Sequence, residues 1–129
     1  MTFDELRVGQ VLSMGAAVVE PQTMGQFIAA FCPGWDIGQG APEALVYAIW
    51  SKLDRQLYRE WPHAKRLAVD ALRWARNPPP GELLHGRLTV MALDPVGEHK
   101  GVVIAQHDLL DESGRLVFSC LTRDVFGRG

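Results

Sequence analysis

One stretch of the chain is apolar on every side. Residues 44–50 read Ala-Leu-Val-Tyr-Ala-Ile-Trp, with no polar group except the tyrosine hydroxyl. Leu53 and Leu57 continue one helical face, while Ser51, Lys52, Asp54, Arg55 and Gln56 cover the rest. A helix that is apolar all round at one end and amphipathic at the other is buried at the first and emergent at the second. Pro42 opens it at a first-turn position, where a missing N–H costs nothing. Glu43 stands beside the positive end of its dipole, and the helix runs to about Tyr58, before Pro62. A second, shorter helix is predicted over 21–32. Met24, Phe27, Ile28 and Phe31 fall at i, i+3, i+4 and i+7, Pro21 starts it and Pro33-Gly34 ends it. Between the helices, Pro-Gly-Trp-Asp-Ile-Gly-Gln-Gly-Ala (33–41) reads as a loop.

The remaining segments have strand character. Residues 8–19 predict a strand with Gly15 as a bulge. Residues 66–76 predict another that carries Asp70 and Arg73. Asn77-Pro78-Pro79-Pro80-Gly81 must be a connection, because three prolines cannot donate to a ladder. Residues 83–93 alternate, with Leu84, Gly86, Leu88, Val90 and Ala92 on one face and His85, Arg87 and Thr89 on the other. Asp94-Pro95-Val96-Gly97 is read as a turn. Residues 101–110 and 115–126 then form a hairpin about Asp111-Glu112-Ser113-Gly114. The plan is α+β: an antiparallel sheet of about five strands curled around one buried helix, plus a short N-terminal helix. Such a sheet leaves open edges, so a homodimer or a heterodimer is expected rather than a monomer.

The 129 residues suit one domain spanning 1–129, and 47% apolar composition supplies its core. A net charge of −2, with acidic and basic residues interspersed, gives no basis for a nucleic-acid or anionic-membrane partner. No apolar run approaches the roughly 20 residues of a membrane span. The opening Met-Thr-Phe-Asp-Glu-Leu-Arg is polar, unlike a signal peptide. The simplest reading is a cytoplasmic protein with Cys32 and Cys120 as reduced thiols. Two cysteines and four scattered histidines give no zinc spacing, and no motif calls for a cofactor.

The order of these segments resembles the hotdog fold, and within it the MaoC-like acyl-thioester dehydratases and (R)-specific enoyl-CoA hydratases. The residues that carry the resemblance are Phe3-Asp4-Glu5-Leu6-Arg7-Val8-Gly9-Gln10, the block Val69-Asp70-Ala71-Leu72-Arg73-Trp74 with Arg76, Pro80, Gly81 and Glu82 after it, and the final hairpin. The resemblance implies binding of an acyl thioester on coenzyme A or acyl carrier protein, and hydration or dehydration of its acyl chain. It also implies a partner, either a second copy or another hotdog subunit. Hydratases of this kind use an Asp and, five residues later, a His in the loop before the central helix. Here Trp35-Asp36 stands where that Asp is expected, and Ala41 occupies the histidine position.

Asp36 is the first candidate for acid–base chemistry on water; the same residue type also closes ordinary turns. Glu43 is the second. The resemblance extends to hotdog thioesterases, in which an acid near this helix start can serve as nucleophile or base, though a first-turn glutamate also complements the dipole unaided. Gly38, Gly40 and Ala41 are small enough to let a ligand carbonyl approach the N–H groups of Ala41, Glu43 and Ala44. Trp35, Tyr47, Trp50 and Trp74 either line an acyl tunnel or pack the core. His107 and Asp108, adjacent on a strand, point to opposite faces. The cysteines are read as buried apolar residues. The expectation is an acyl-thioester hydratase or dehydratase with an atypical site, the alternatives being a non-catalytic subunit or a thioesterase using Glu43.

Overall fold

The computed structural model describes residues 1–129, the side chain of Ala64 apart. After a short 3-10 turn at Phe3–Glu5 come β1 (Val11–Val18), α1 (Pro21–Phe31), a second 3-10 turn (Ile37–Gln39) and α2 (Glu43–Tyr58). The strands β2 (His63–Trp74), β3 (Leu83–Val96), β4 (Lys100–Leu110) and β5 (Leu116–Gly127) follow. They form one sheet in the order β1-β3-β4-β5-β2, with every neighbouring pair antiparallel. The sheet wraps α2. Val46, Trp50 and Leu53 on the helix and Leu84, Leu109 and Phe118 on the strands are all fully buried. Each contributes about 1.5–3 kcal/mol of burial, which explains why the apolar run had to become the central helix. No helix is long and apolar enough to cross a membrane among the described residues.

The alternation of β3 holds as far as Val90: Leu84, Gly86, Leu88 and Val90 are buried, and His85 and Arg87 are exposed. A register shift between Val90 and Ala92 ends it and leaves Ala92 only partly buried. The bulge at Gly15 is present, as a register shift between Ser13 and Gly15. Several boundaries differ from expectation. β1 begins at Val11 rather than at residue 8, and β2 spans His63–Trp74 rather than 66–76. β3 continues through Asp94 and Pro95, which pair with Val102 and Gly101. Beyond Thr89 it has no β1 neighbour, so the proline's missing N–H falls on a free edge. Pro42 is the residue before α2, not its first. Its φ of −59° and ψ of 151° are non-helical, and its carbonyl accepts the N–H groups of Leu45 and Val46.

β2 is an edge strand with an irregular ladder. It slips register against β5 at three places, the last between Asp70 and Arg73. Within that slip Ala71 has a φ of 53°, in the left-handed region. Leu67, Leu72 and Trp74 on this strand stay exposed.

Candidate active site at the start of the central helix

The loop before α2 is fastened by hydrogen bonds along its length and by close packing at its Gly40–Ala41 end. The Trp35 indole N–H donates to the Gly40 carbonyl at 2.9 Å. Asp36 is exposed, and its Oδ1 accepts the Gly38 N–H at 2.9 Å, closing the 3-10 turn. The Ala41 N–H donates to the Pro78 carbonyl at 2.7 Å. From the same proline-rich connection, Asn77 Nδ2 donates to the Ala41 carbonyl at 2.8 Å and to Glu43 Oε2 at 2.7 Å. Trp74 Nε1 donates to the Glu43 carbonyl at 3.0 Å. The N–H groups of Glu43 and Ala44 have no acceptor among the described residues, as the first turn of a helix requires.

Two details of the expected site change. Ala41 cannot offer its N–H to a ligand, because Pro78 holds it. Gly40 does not open an approach: a Cβ there would run into the Asn77 carbonyl oxygen and lie 3.0 Å from that of Pro78. Its φ of 91° and this backbone contact are the reasons for glycine. Gly38 is different, with only the Asp36 carboxylate nearby at 3.2 Å. No hydrogen bond joins Asp36 to Glu43; each carboxylate is engaged separately. Ala41, at the position where a histidine is expected, is fully buried.

The aromatic residues divide. Trp50 is fully buried, 5.3 Å from the ring of Tyr47 and 5.9 Å from that of Phe118. Its indole N–H donates to His107 Nδ1 at 3.1 Å, and His107 Nε2 meets Thr122 Oγ1 at 2.7 Å. Burial, with the positive charge of Arg66 adding to it, pushes His107 down to about 3, so it stays neutral. Tyr47, partly buried near the start of α2, and Trp74, exposed on the β2 edge, flank Phe118. Burial pushes the Cys120 thiol up to about 12, so it is not a nucleophile at neutral pH.

A second polar cluster, which the sequence did not reveal, lies at the other end of α2. Asp54 and Asp124 are 3% and 1% exposed, and Arg66 bridges them. It donates to both Asp54 oxygens at 2.8 and 3.0 Å and to both Asp124 oxygens at 2.9 and 3.1 Å. Burial pulls Arg66 down, but the hydrogen bonds and charges of both aspartates outweigh it and raise it. Burial raises Asp54 against the opposing pull of Arg66. His63 Nε2 lies 3.0 Å from Asp124 Oδ1. Ser51, Asp54, Arg55, Tyr58, His63 and Arg66 line a cavity of about 280 Å³. The Tyr58 hydroxyl is buried there without a partner. Helical spacing had placed Asp54 on the emergent face. Only the return of β2 with Arg66, twelve residues on, buries it.

Neither a scan against protein-family models nor a search of curated proteins gives a match to this sequence. Solved structures do match in fold. A MaoC-like dehydratase from Rhodospirillum rubrum superposes with a TM-score of 0.83 at 22% identity, covering 100% of this chain and 98% of that one. The (R)-hydratase from A. caviae involved in PHA biosynthesis matches with a TM-score of 0.71 at 18% identity, over 94% and 96% of the two chains. A Mycobacterium tuberculosis protein with a double hotdog fold matches at 0.80 and 19% identity, with all of this chain covering 44% of that one. The curled five-stranded sheet around α2 is therefore one hotdog unit, the fold of MaoC-like dehydratases and (R)-hydratases.

Proposed function

We propose that this protein binds an acyl thioester, carried on coenzyme A or acyl carrier protein, and acts on it as a hydratase or dehydratase whose loop lacks the histidine. One observation carries the reading. The free N–H groups of Glu43 and Ala44 face outward at the start of a helix whose far side is dry. Beside them stand the half-exposed rings of Tyr47 and Trp74. Two aligned donors at a helix N-terminus suit a thioester carbonyl and the enolate that forms from it. The aromatic surface suits an acyl chain. Asp36 and Glu43 are the carboxylates within reach of such a ligand. Trp35, Gly38, Gly40 and Ala41 shape the loop beneath it, and Trp50 backs Tyr47 from the core.

The reading includes a second copy. β2 has one hydrogen-bonded neighbour, β5, and a free edge carrying Leu67, Leu72 and Trp74. Unpaired ladder groups next to exposed apolar side chains favour edge-to-edge pairing with another β2. That pairing would cover the aromatic side of the site.

A specific observation favours a second reading, a non-catalytic subunit: both candidate carboxylates are already hydrogen-bonded within the chain, and Ala41 stands where an acid–base partner would. Incubating the purified protein with a panel of 2-enoyl, 3-hydroxyacyl and saturated acyl-CoA thioesters, followed by mass spectrometry, separates the readings. Gain or loss of one water supports a hydratase or dehydratase. Release of free coenzyme A supports thioester hydrolysis by Glu43. Binding without conversion supports the non-catalytic subunit, and absence of binding refutes the proposal.

A further inference from the structure

The cluster at the far end of α2 contains a dyad that nothing so far has used. His63 Nε2 is 3.0 Å from Asp124 Oδ1, and Asp124 is buried and held on both oxygens by Arg66. A carboxylate so held is an acceptor, so Nε2 donates to it, and in the neutral imidazole that leaves the lone pair on Nδ1. The ring is braced by Tyr58, stacked at 5.6 Å, and by Phe126 at 5.0 Å. Its side chain remains 28% exposed and lines the 280 Å³ cavity. Orientation by a buried acid, with a free nitrogen toward an opening, is how an imidazole is prepared for proton transfer.

His63 cannot serve the α2 N-terminus of its own chain. From Glu43 to Tyr58 the helix rises about 22 Å, at 1.5 Å per residue, and His63 packs on Tyr58. Edge pairing changes this. β2 runs from His63 to Trp74, and Trp74 is hydrogen-bonded to the Glu43 carbonyl. Two β2 strands paired about a two-fold axis at their middle run in opposite directions, so the His63 end of one lies beside the Trp74 end of the other. Both ends turn toward the helix side of the sheet, since His63 touches Tyr58 and Trp74 touches Glu43. The cavity of one protomer then adjoins the start of its partner's α2.

We infer that His63, positioned by Asp124 and Arg66, supplies across a β2–β2 dimer the acid–base imidazole that the partner's loop lacks. This rests on the acyl-thioester reading and deepens it. In hydration of a 2-enoyl thioester, the water oxygen bonds to Cβ and the double-bond pair moves to Cα as an enolate. The N–H groups of the partner's Glu43 and the partner's Ala44 hold its oxygen. The partner's Asp36, whose Oδ2 is not used by the turn, holds the water, and His63 Nδ1 takes the water's proton and returns it to Cα. One water is added and nothing else is consumed; dehydration is the reverse.

The test uses crotonyl-CoA and 3-hydroxybutyryl-CoA with the full chain. His63→Asn and Asp36→Asn are each expected to lower turnover by about a hundredfold or more. Mixed and re-equilibrated, the two variants should regain about a quarter of wild-type activity, because half of the dimers are mixed and each holds one intact site of two. Full activity of His63→Asn, or no recovery on mixing two folded, inactive variants, overturns the inference. A separate measurement covers a variant that misfolds and a wild type that does not turn over. Imidazole nitrogen resonances of the wild-type protein are followed as 3-hydroxybutyryl-CoA is added. Movement of the His63 Nδ1 signal without turnover would refute catalysis while supporting the contact across the dimer. Binding that leaves His63 unmoved overturns the inference alone, and no binding overturns both.

Discussion

Gly40→Ala is the substitution that best tests how the α2 N-terminus is built. Gly40 has a φ of 91°, where an L side chain costs about 1–2 kcal/mol. The new Cβ would also collide with the Asn77 carbonyl, whose carbon is 2.9 Å from the Cβ position. A backbone carbonyl cannot rotate away as a side chain can, so the proline-rich connection must move. That movement strains the bonds from the Ala41 N–H to Pro78 and from Asn77 to the Ala41 carbonyl, at 2.7 and 2.8 Å. Each is worth about 1 kcal/mol. The sum is about 3–4 kcal/mol. At an m-value near 1.5 kcal/mol per molar, that lowers the urea midpoint by about 2 M. Gly38→Ala is the control. Its neighbour is the side-chain carboxylate of the exposed Asp36, which can give by a few tenths of an ångström where a backbone carbonyl cannot, and its φ is ordinary, so less than about 1 kcal/mol is expected. Equilibrium urea unfolding followed by tryptophan fluorescence reads both. A Gly40→Ala midpoint within about 0.5 M of wild type would refute the account, and would restore the idea that Gly40 exists to admit a ligand.

Three further outcomes are expected. His107 is held near 3 when folded and titrates near its ordinary 6.5 when unfolded. Its neutral burial therefore stabilises the fold above pH 6.5, and this is lost as the pH falls toward 3, by up to about 1.4 kcal/mol per pH unit. Thermal unfolding of His107→Gln between pH 6.5 and 5, where carboxylates contribute little, should show a flatter slope than wild type. Arg66→Met strands two carboxylates that are 1–4% exposed, and should cost about 3–5 kcal/mol at pH 7. Part of that loss should be regained at low pH, where the carboxylates protonate; a pH-independent loss would point to packing instead. Ala71→Gly relieves a left-handed backbone at a bulge of the free edge and should raise stability by up to about 1 kcal/mol. A decrease measured by urea unfolding would mean that the methyl packs usefully.

What the sequence made legible follows from the range over which each interaction acts. The run at 44–50 was legible as the central helix but not as one covered all round. The curled sheet buries Leu45, Val46 and Trp50, Tyr47 and Ile49 are partly covered, and Ala44 and Ala48 stay exposed, where a methyl group faces water at little cost. The faces of β3 were legible because period-2 alternation is local. The loop at 33–41 was not, because its fastenings come from Asn77 and Pro78, far along the chain. Gly40 therefore reads as an open approach in sequence and is a packed crossing in space. Asp54 was misjudged for the same reason. Its helical spacing puts it on the emergent face, and only a strand that brings Arg66 back over that face turns it into a buried, paired carboxylate. Polar residues whose partners lie beyond the next element leave no periodic trace, and both candidate sites are built from such residues.

The same reasoning explains why a histidine sits in the core of β4. Buried positions on that strand are Gly101, Val103, Ala105, His107 and Leu109, every second residue. A slip of one residue would turn Gln106 and Asp108 inward and expose the apolar set. Gly101 opposes such a slip sterically, since any Cβ at its place would run into the Phe3 ring, whereas Ala105 opposes it only weakly. His107 opposes it directionally. It accepts from the Trp50 indole on α2 and meets the Thr122 hydroxyl on β5, and neither bond survives a shift of one residue, about 3.3 Å. An apolar residue there would fill the space but would leave the Trp50 N–H unpaired in the core, costing about 1–3 kcal/mol. The histidine thus ties the rotation of α2 to the register of the sheet. That tie holds Tyr47 toward Phe118 and keeps the free N–H groups at the start of α2 beside the β2 edge.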